Sequence, residues 1–196
     1  MRSDDILAFC VVFKSSDPLD TDTDHRTLIE ATPPGWFYSA QLPHQRRIVV
    51  FHTSGSSPAA KVVRRLSGFL EILNEYSTLI REVIEGKSYD IDNTRPNQWP
   101  KTTAACSSHL EPFGSEKERW FAVGDAAMAF DPLSSQGIIT ALKSGCMLGM
   151  SLAEERCGLG PLGLVYENIL EDYETKRIWF YKRAMFDGDE FWRKQR

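Results

Sequence analysis

The chain is predicted to be a mixed α/β protein, α+β in character, and three features carry that expectation. Apolar, β-prone runs separated by turn residues recur between positions 6 and 53, the pattern of an antiparallel sheet. A long stretch with apolar residues at helical spacing follows. From Trp120 to Gly145 a short apolar run, a glycine, an acidic residue and a Pro/Ser loop then lead into a second helical stretch. That is the strand–loop–helix order of an open α/β sheet.

Ile6–Phe13 enters a strand almost at once, and a polar loop, Ser15 to His25, follows. Thr27–Thr32 reads as a second strand, ended by Pro33-Pro34-Gly35. Trp36–Leu42 and Arg47–Thr53 read as two antiparallel strands joined at Pro43-His44-Gln45. Pro58 to Ile84 is helical in period, with a break expected at Ser67-Gly68. Lys87–Thr103, with Pro96, Trp99 and Pro100, reads as a loop; Thr103–Leu110 reads as a returning strand and Glu111–Glu118 as a charged turn. After the Trp120–Gly145 segment, Gly158–Gly163 is expected to separate its helix from a last one, with Leu164, Val165, Ile169, Leu170, Tyr173, Ile178 and Trp179 as the apolar stripe. The end, Phe191–Arg196, is aromatic and basic.

The 196 residues are 42% hydrophobic, enough for a real core, and carry a net charge of −4. That charge points away from nucleic acid and from anionic membranes, and no run of about 18 apolar residues exists to span a bilayer. Cys10, Cys106, Cys146 and Cys157 show no CxxC spacing and read as thiols of a reducing cytoplasm, so neither a metal nor a disulfide set is expected. His25, His44, His52 and His109 are scattered and read singly as surface or packing residues.

The chemistry is expected in the segment that follows Trp120–Val123, an apolar run fit for a strand covered on both faces. Gly124 allows a tight turn and close ligand approach, and Asp125 presents a carboxylate at the strand end, able to accept hydrogen bonds from sugar-type hydroxyls. Ala126 and Ala127 keep the next turn small. Asp131-Pro132 signals a turn, and Ser134 and Ser135 are candidate helix N-caps. From Gln136 onward, Gly137 and Ile138 open a helix whose free N–H groups and dipole favour a ligand with negative charge.

These residues, from Gly124 to Gly137, resemble the second FAD-binding motif of flavoprotein monooxygenases of the p-hydroxybenzoate hydroxylase type. The wording Phe130-Asp-Pro-Leu-Ser-Ser-Gln-Gly137 is similar to a branch near the flavin-dependent halogenases and flavoproteins that modify tryptophan in partner enzymes. Met128 stands where many members have His, Ile139 where many have Asn, and Ser134-Ser135 where a small residue and Gly are usual. The resemblance implies that Asp125 binds the ribityl chain of FAD. It further implies that Pro132, Ser135, Gln136, Gly137 and Ile138 border the flavin ring, with Gly124 and Ala126 as backbone neighbours. It also implies that Trp36, Tyr38 and Phe51, and more weakly His109, line a substrate pocket, although each aromatic can equally be core packing.

The resemblance implies part of an FAD-binding Rossmann-like domain, residues 103–196, beside a mostly antiparallel substrate-domain sheet, residues 1–102. The GxGxxG that grips the ADP half of FAD in the family is absent from this sequence, as are the lysine and Trp-rich motif of halogenases, so the expectation is a C-terminal portion, from truncation or a misassigned start. The implied activity is FAD-dependent oxidation of monooxygenase or halogenase-like type. The substrate would be a small molecule or a tryptophan-containing one, and the electrons would come from reduced nicotinamide or a flavin reductase. The alternative is a non-catalytic remnant or binding module that does not hold FAD alone.

Overall fold

The computed structural model describes residues 3–17, 22–94, 98–153, 159–186 and 188–196. They form two compact units, one of Ile6–Ala104 with Ala184–Gln195, the other chiefly of Ala105–Arg183 with the chain start. Pro96, Cys157 and Gly158, together with part of the Ser15–His25 loop, lie outside the described residues.

The first unit is a sheet of six strands: β1 (Ile6–Ser15), β2 (Leu28–Thr32), β3 (Gly35–Leu42), β4 (Arg46–Ser54), β5 (Tyr89–Ile91) and β6 (Lys101–Ala104). The order is β2-β3-β4-β1-β5, with β6 also on β1, and every pairing is antiparallel. The β3–β4 turn carries positive φ at both His44 and Gln45, the backbone hand that matches strand twist in a tight hairpin. Register puts Phe37 and Phe9 either side of Phe51 on one face. Three helices supply the apolar partners of that face: α1 (Pro58–Val62), α2 (Leu66–Tyr76) and α3 (Leu79–Gly86). Phe69, Ile72, Leu73, Ile80 and Ile84 share one core with Phe9, Val11, Phe37, Val49 and Phe51.

Local chemistry sets the helix boundaries. Ser57 caps α1 by accepting the Ala60 amide at 3.1 Å, with Pro58 in the first turn. The helical stretch does not break at Ser67-Gly68, as its sequence implied, but at residues 63–65 and at Ser77-Thr78. Gly68 is a contact residue instead: a Cβ there would lie 2.2 Å from the Val62 carbonyl oxygen, so only glycine lets α2 turn this closely against α1. The start of α3 is capped from the sheet. The Glu30 carboxylate accepts the Ser77 hydroxyl at 2.6 Å and the amides of Thr78, Leu79 and Ile80 at 2.7, 3.1 and 3.2 Å. Burial pushes this carboxyl up, and those donors outweigh it and hold it below its ordinary value.

A buried polar group also sits in this unit. Arg47, fully buried, donates to Asp22 Oδ2 at 3.0 Å from Nε and 2.7 Å from Nη2, to Ser39 Oγ at 3.2 Å and to the Asp24 carbonyl at 2.9 Å. Tyr89 donates to the same Asp22 oxygen at 2.9 Å. The loop expected at Lys87–Thr103 contains β5 and β6. The Lys-Thr-Thr-Ala strand was missed because it is exposed at every position and so shows no alternation.

The second unit contains two small antiparallel pairs: β7 (Ser108–His109) with β10 (Met128–Ala129), and β8 (Gly114–Ser115) with β9 (Trp120–Phe121). Its helices are α4 (Gly137–Ala153) and α5 (Leu159–Tyr181). Thr103–Leu110 is therefore not one strand, the charged turn holds β8, and Gly158–Gly163 is helical from Leu159. The Trp120–Val123 run forms only a two-residue strand, with Trp120 39% exposed, not one covered on both faces. The inward stripe of α5 is tyrosine-based: Tyr166, Tyr173 and Tyr181 are buried, while Leu164 and Trp179 are exposed. A phenol ring buries like an apolar residue provided its hydroxyl finds a partner, which apolar spacing alone does not reveal. Here Tyr166 donates to the Ala122 carbonyl at 3.2 Å. The chain ends in α6 (Glu190–Lys194), part of the first unit, where Trp192 donates to the Thr32 carbonyl at 2.8 Å.

Candidate functional site

The site is built where the second unit turns from β9 into α4. Ala127 and Met128 are buried beneath the turn with Tyr166, and Phe113, Phe121 and Phe130 pack on them. Gly124–Ala126 is a single 3-10 turn closed by the Ala127 amide on the Gly124 carbonyl at 2.9 Å. Gly124 has φ +57°, and a Cβ on it would meet Ala141 of α4 at 3.0 Å, so glycine is needed twice over. Its amide donates to Ser144 Oγ at 3.0 Å, and Ser144 donates onward to the Ala141 carbonyl at 3.1 Å. The turn is thereby fastened to α4 one residue before Asp125.

Asp125 and Ala126 are exposed on this fastened turn. At Gly137, the first residue of α4, the atom nearest an added Cβ would be Asp125 Oδ1, at 3.8 Å. Two residues twelve positions apart thus bring a carboxylate and a bare helix start together. The intervening loop is a second 3-10 turn, Pro132–Ser134, capped by Asp131, whose Oδ1 accepts the Leu133 amide at 2.8 Å. Neither serine acts as the expected N-cap. Ser134 Oγ accepts from the Gln136 amide at 3.3 Å, before the helix begins, and Ser135 takes the left-handed conformation at φ 53°. Ile138 is 79% exposed on the first turn of α4.

The geometry therefore brings Gly124, Asp125, Ala126, Gln136 and Gly137 to one strand-to-helix crossing, with Pro132, Ser135 and Ile138 on its loop and rim. It offers an acceptor for hydroxyl donors, free amides at a 17-residue helix, and glycine-lined access for a flat ring.

The pocket residues are divided. Register places Trp36 and His52 as direct partners on the face of the first unit's sheet opposite the Phe37–Phe51 pair, with Tyr38 on the same side as Trp36. Phe51 is fully buried in the helix-covered core and Trp36 is 1% exposed on the opposite face, so neither opens onto a pocket, and of the three only the half-buried Tyr38 is accessible. Trp36 stacks on His52 at 3.7 Å between ring centres, and burial holds His52 down to about 3. His109 belongs to the second unit, where it lines a cavity of about 590 Å³ with Glu111, Phe113, Phe121, Leu164 and Leu170. Asp131, which closes the loop, was missed as a site residue because a turn-forming Asp-Pro looks the same whether or not its carboxyl is buried. Among the described residues no cluster suited to a metal ion occurs, and no helix is long and apolar enough to cross a membrane.

This fold is that of the FAD-binding halogenases and monooxygenases. The flavin-dependent halogenase CmlS superposes on 97% of the chain with a TM-score of 0.76 at 23% identity. The peptidyl tryptophan dihydroxylase QhpG, essential for tryptophylquinone cofactor biogenesis, superposes on all of it with a TM-score of 0.72 at 19% identity. In sequence, the chain is a homologue of LodB of Marinomonas mediterranea, named as an FAD-dependent oxidoreductase, at 27% identity over 183 residues. No protein-family model matches. The chain spans less than half of each relative: 46% of LodB, 35% of CmlS and 44% of QhpG. The mixed α/β class, the mostly antiparallel sheet and the partial span expected from the sequence agree with these findings.

Proposed function

We propose that this chain is the flavin-ring and ribityl portion of an FAD-dependent oxidoreductase of monooxygenase or halogenase-like type. The observation that carries the reading is the meeting of the Asp125 carboxylate with Gly137 beside the glycine-only turn at Gly124. The residues fit the group. Asp125 would accept from ribityl hydroxyls, the backbone of Gln136, Gly137 and Ile138 would border the ring, and the amides at the positive end of α4 would favour negative charge on it. When bound, FAD supplies the redox chemistry with oxygen; the chain's residues bind, orient and shield it. Residues 103–196 would form this part and residues 1–102 the substrate-facing sheet, with the half-buried Tyr38 on the face opposite the Phe37–Phe51 pair and Trp36 buried beside it.

The substrate class that fits is a small molecule or a tryptophan-bearing one, with electrons from reduced nicotinamide or a flavin reductase, in the cytoplasm. Titration of the chain with FAD tests the reading. Asp125→Ala should weaken binding about tenfold, on the order of 1.4 kcal/mol, with the far-UV circular dichroism unchanged. Wild-type affinity in that variant would remove Asp125 from the site. One observation favours the alternative of a module that needs other structure to hold FAD: Ile138, Ile139, Leu142, Met150 and Leu152 of α4 are all more than half exposed.

A further inference from the structure

The loop that joins the Asp125 turn to α4 is held from behind by a buried polar network. Asp131 is 1% exposed and enters it by three of its atoms. Its backbone amide donates to Tyr173 Oη at 3.0 Å, its Oδ1 accepts from Leu133, and its Oδ2 accepts the Tyr181 hydroxyl. Tyr173 Oη also shares a hydrogen bond with Ser107 Oγ at 2.7 Å, in which either hydroxyl can be the donor. The Phe130 ring stacks on Tyr173 at 4.3 Å, so two successive residues ahead of the loop are anchored to α5. A cavity of about 120 Å³ lies between the loop and α5, lined by Leu133, Ser134, Gln136, Tyr173, Phe180 and Tyr181. The α5 side of Leu133–Gln136 is therefore incompletely packed. The hydrogen bonds of Asp131 set where this loop stands, and a loop released from them has room to sink toward α5.

We infer that Asp131 is the positioning residue of the Pro132–Gln136 loop, latched by Tyr173 and Tyr181, and that it sets the geometry of the candidate flavin site without touching the cofactor. The second half of this rests on the flavin reading above. The environment agrees: burial, with Asp4 nearby, pushes the Asp131 carboxyl up, while Tyr181, the Leu133 amide and Arg177 oppose. A carboxyl in that setting is a demanding group to keep in a merely structural turn, since aspartate caps turns equally well in water.

The test uses the 196-residue chain, its Asp131→Asn, Asp131→Leu and Tyr181→Phe variants, amide hydrogen exchange, and FAD as the probe. Asp131→Leu should speed exchange at the Leu133–Gly137 amides at least tenfold and weaken FAD at least tenfold, with a shifted flavin absorbance band. Asp131→Asn, whose side-chain oxygen still accepts from Leu133, should restore most of both, and Tyr181→Phe should fall between. Should Asp131→Leu fail to fold, Tyr181→Phe decides: unchanged loop exchange in it would overturn the latch. Faster exchange in these variants with unaltered FAD affinity and spectrum would overturn the link to the site. If the wild-type chain itself takes up no FAD, the flavin reading fails by that fact, and the exchange arm still decides the latch.

Discussion

At the scale of single residues, two positions carry roles that their chemistry makes testable. Gly124 combines φ +57° with a 3.0 Å approach to Ala141. Gly124→Ala should cost about 1–3 kcal/mol in a denaturant melt and weaken FAD binding together with stability, because the displaced turn carries Asp125. His52 is held down to about 3 by burial against Trp36. Unfolded, it titrates near 6.5. The unfolded chain therefore binds the extra proton first, and stability is lost as pH falls from about 6.5 toward 3. His52→Phe should flatten that limb; an unchanged melting temperature profile between pH 7 and pH 5 would contradict it. Residue-scale legibility in the sequence was uneven for a physical reason. Gly124 was legible because a turn packed this closely on a helix needs a residue without a Cβ, and Asp125 because it stands next to that glycine at the strand end. Phe51 was misplaced because an aromatic in a strand reads alike on either face until the register is known.

At the scale of elements, α3 shows how a boundary can depend on a distant strand. Its amides are satisfied by Glu30 of β2, 48 to 50 positions away. Glu30→Gln should cost about 1–2 kcal/mol, and exchange should rise in α3 before it rises in α2. The carboxyl lies below its ordinary value in the folded state, so its contribution is present above the usual glutamate pKa and fades as pH falls through the lowered one. The difference between wild type and Glu30→Gln should therefore shrink below about pH 4. Strands β1 to β4 were readable because they alternate or are apolar throughout. The break before α2 was not, because it comes from the close approach of Gly68 to Val62 rather than from helix propensity. In the same way Tyr166 and Tyr181 of α5 were hidden from an apolar count that found only Tyr173, although each has a hydroxyl partner in the fold.

At the scale of the whole molecule, α4 is the most consequential element. Of its outward side chains only Lys143 is charged, and Gly145 and Gly149 face space in which nothing lies within 4 Å of an added Cβ. A helix whose outward face is this apolar is one that larger structures bury. Self-association of the chain should therefore grow with concentration, and Leu142→Glu with Met150→Lys should suppress it in light scattering without altering the circular dichroism. No change in scattering would show that this face is not the sticky one. A different consequence follows from Arg47. Its guanidinium meets Asp22, Ser39 and the Asp24 carbonyl only when β4 lies in the observed pairing with β3. A slip by one residue would turn it to the opposite face and strand Asp22 without its partner. The group works as a checksum on the hairpin: it adds little to the depth of the native state, but makes the nearest wrong copy of that state expensive.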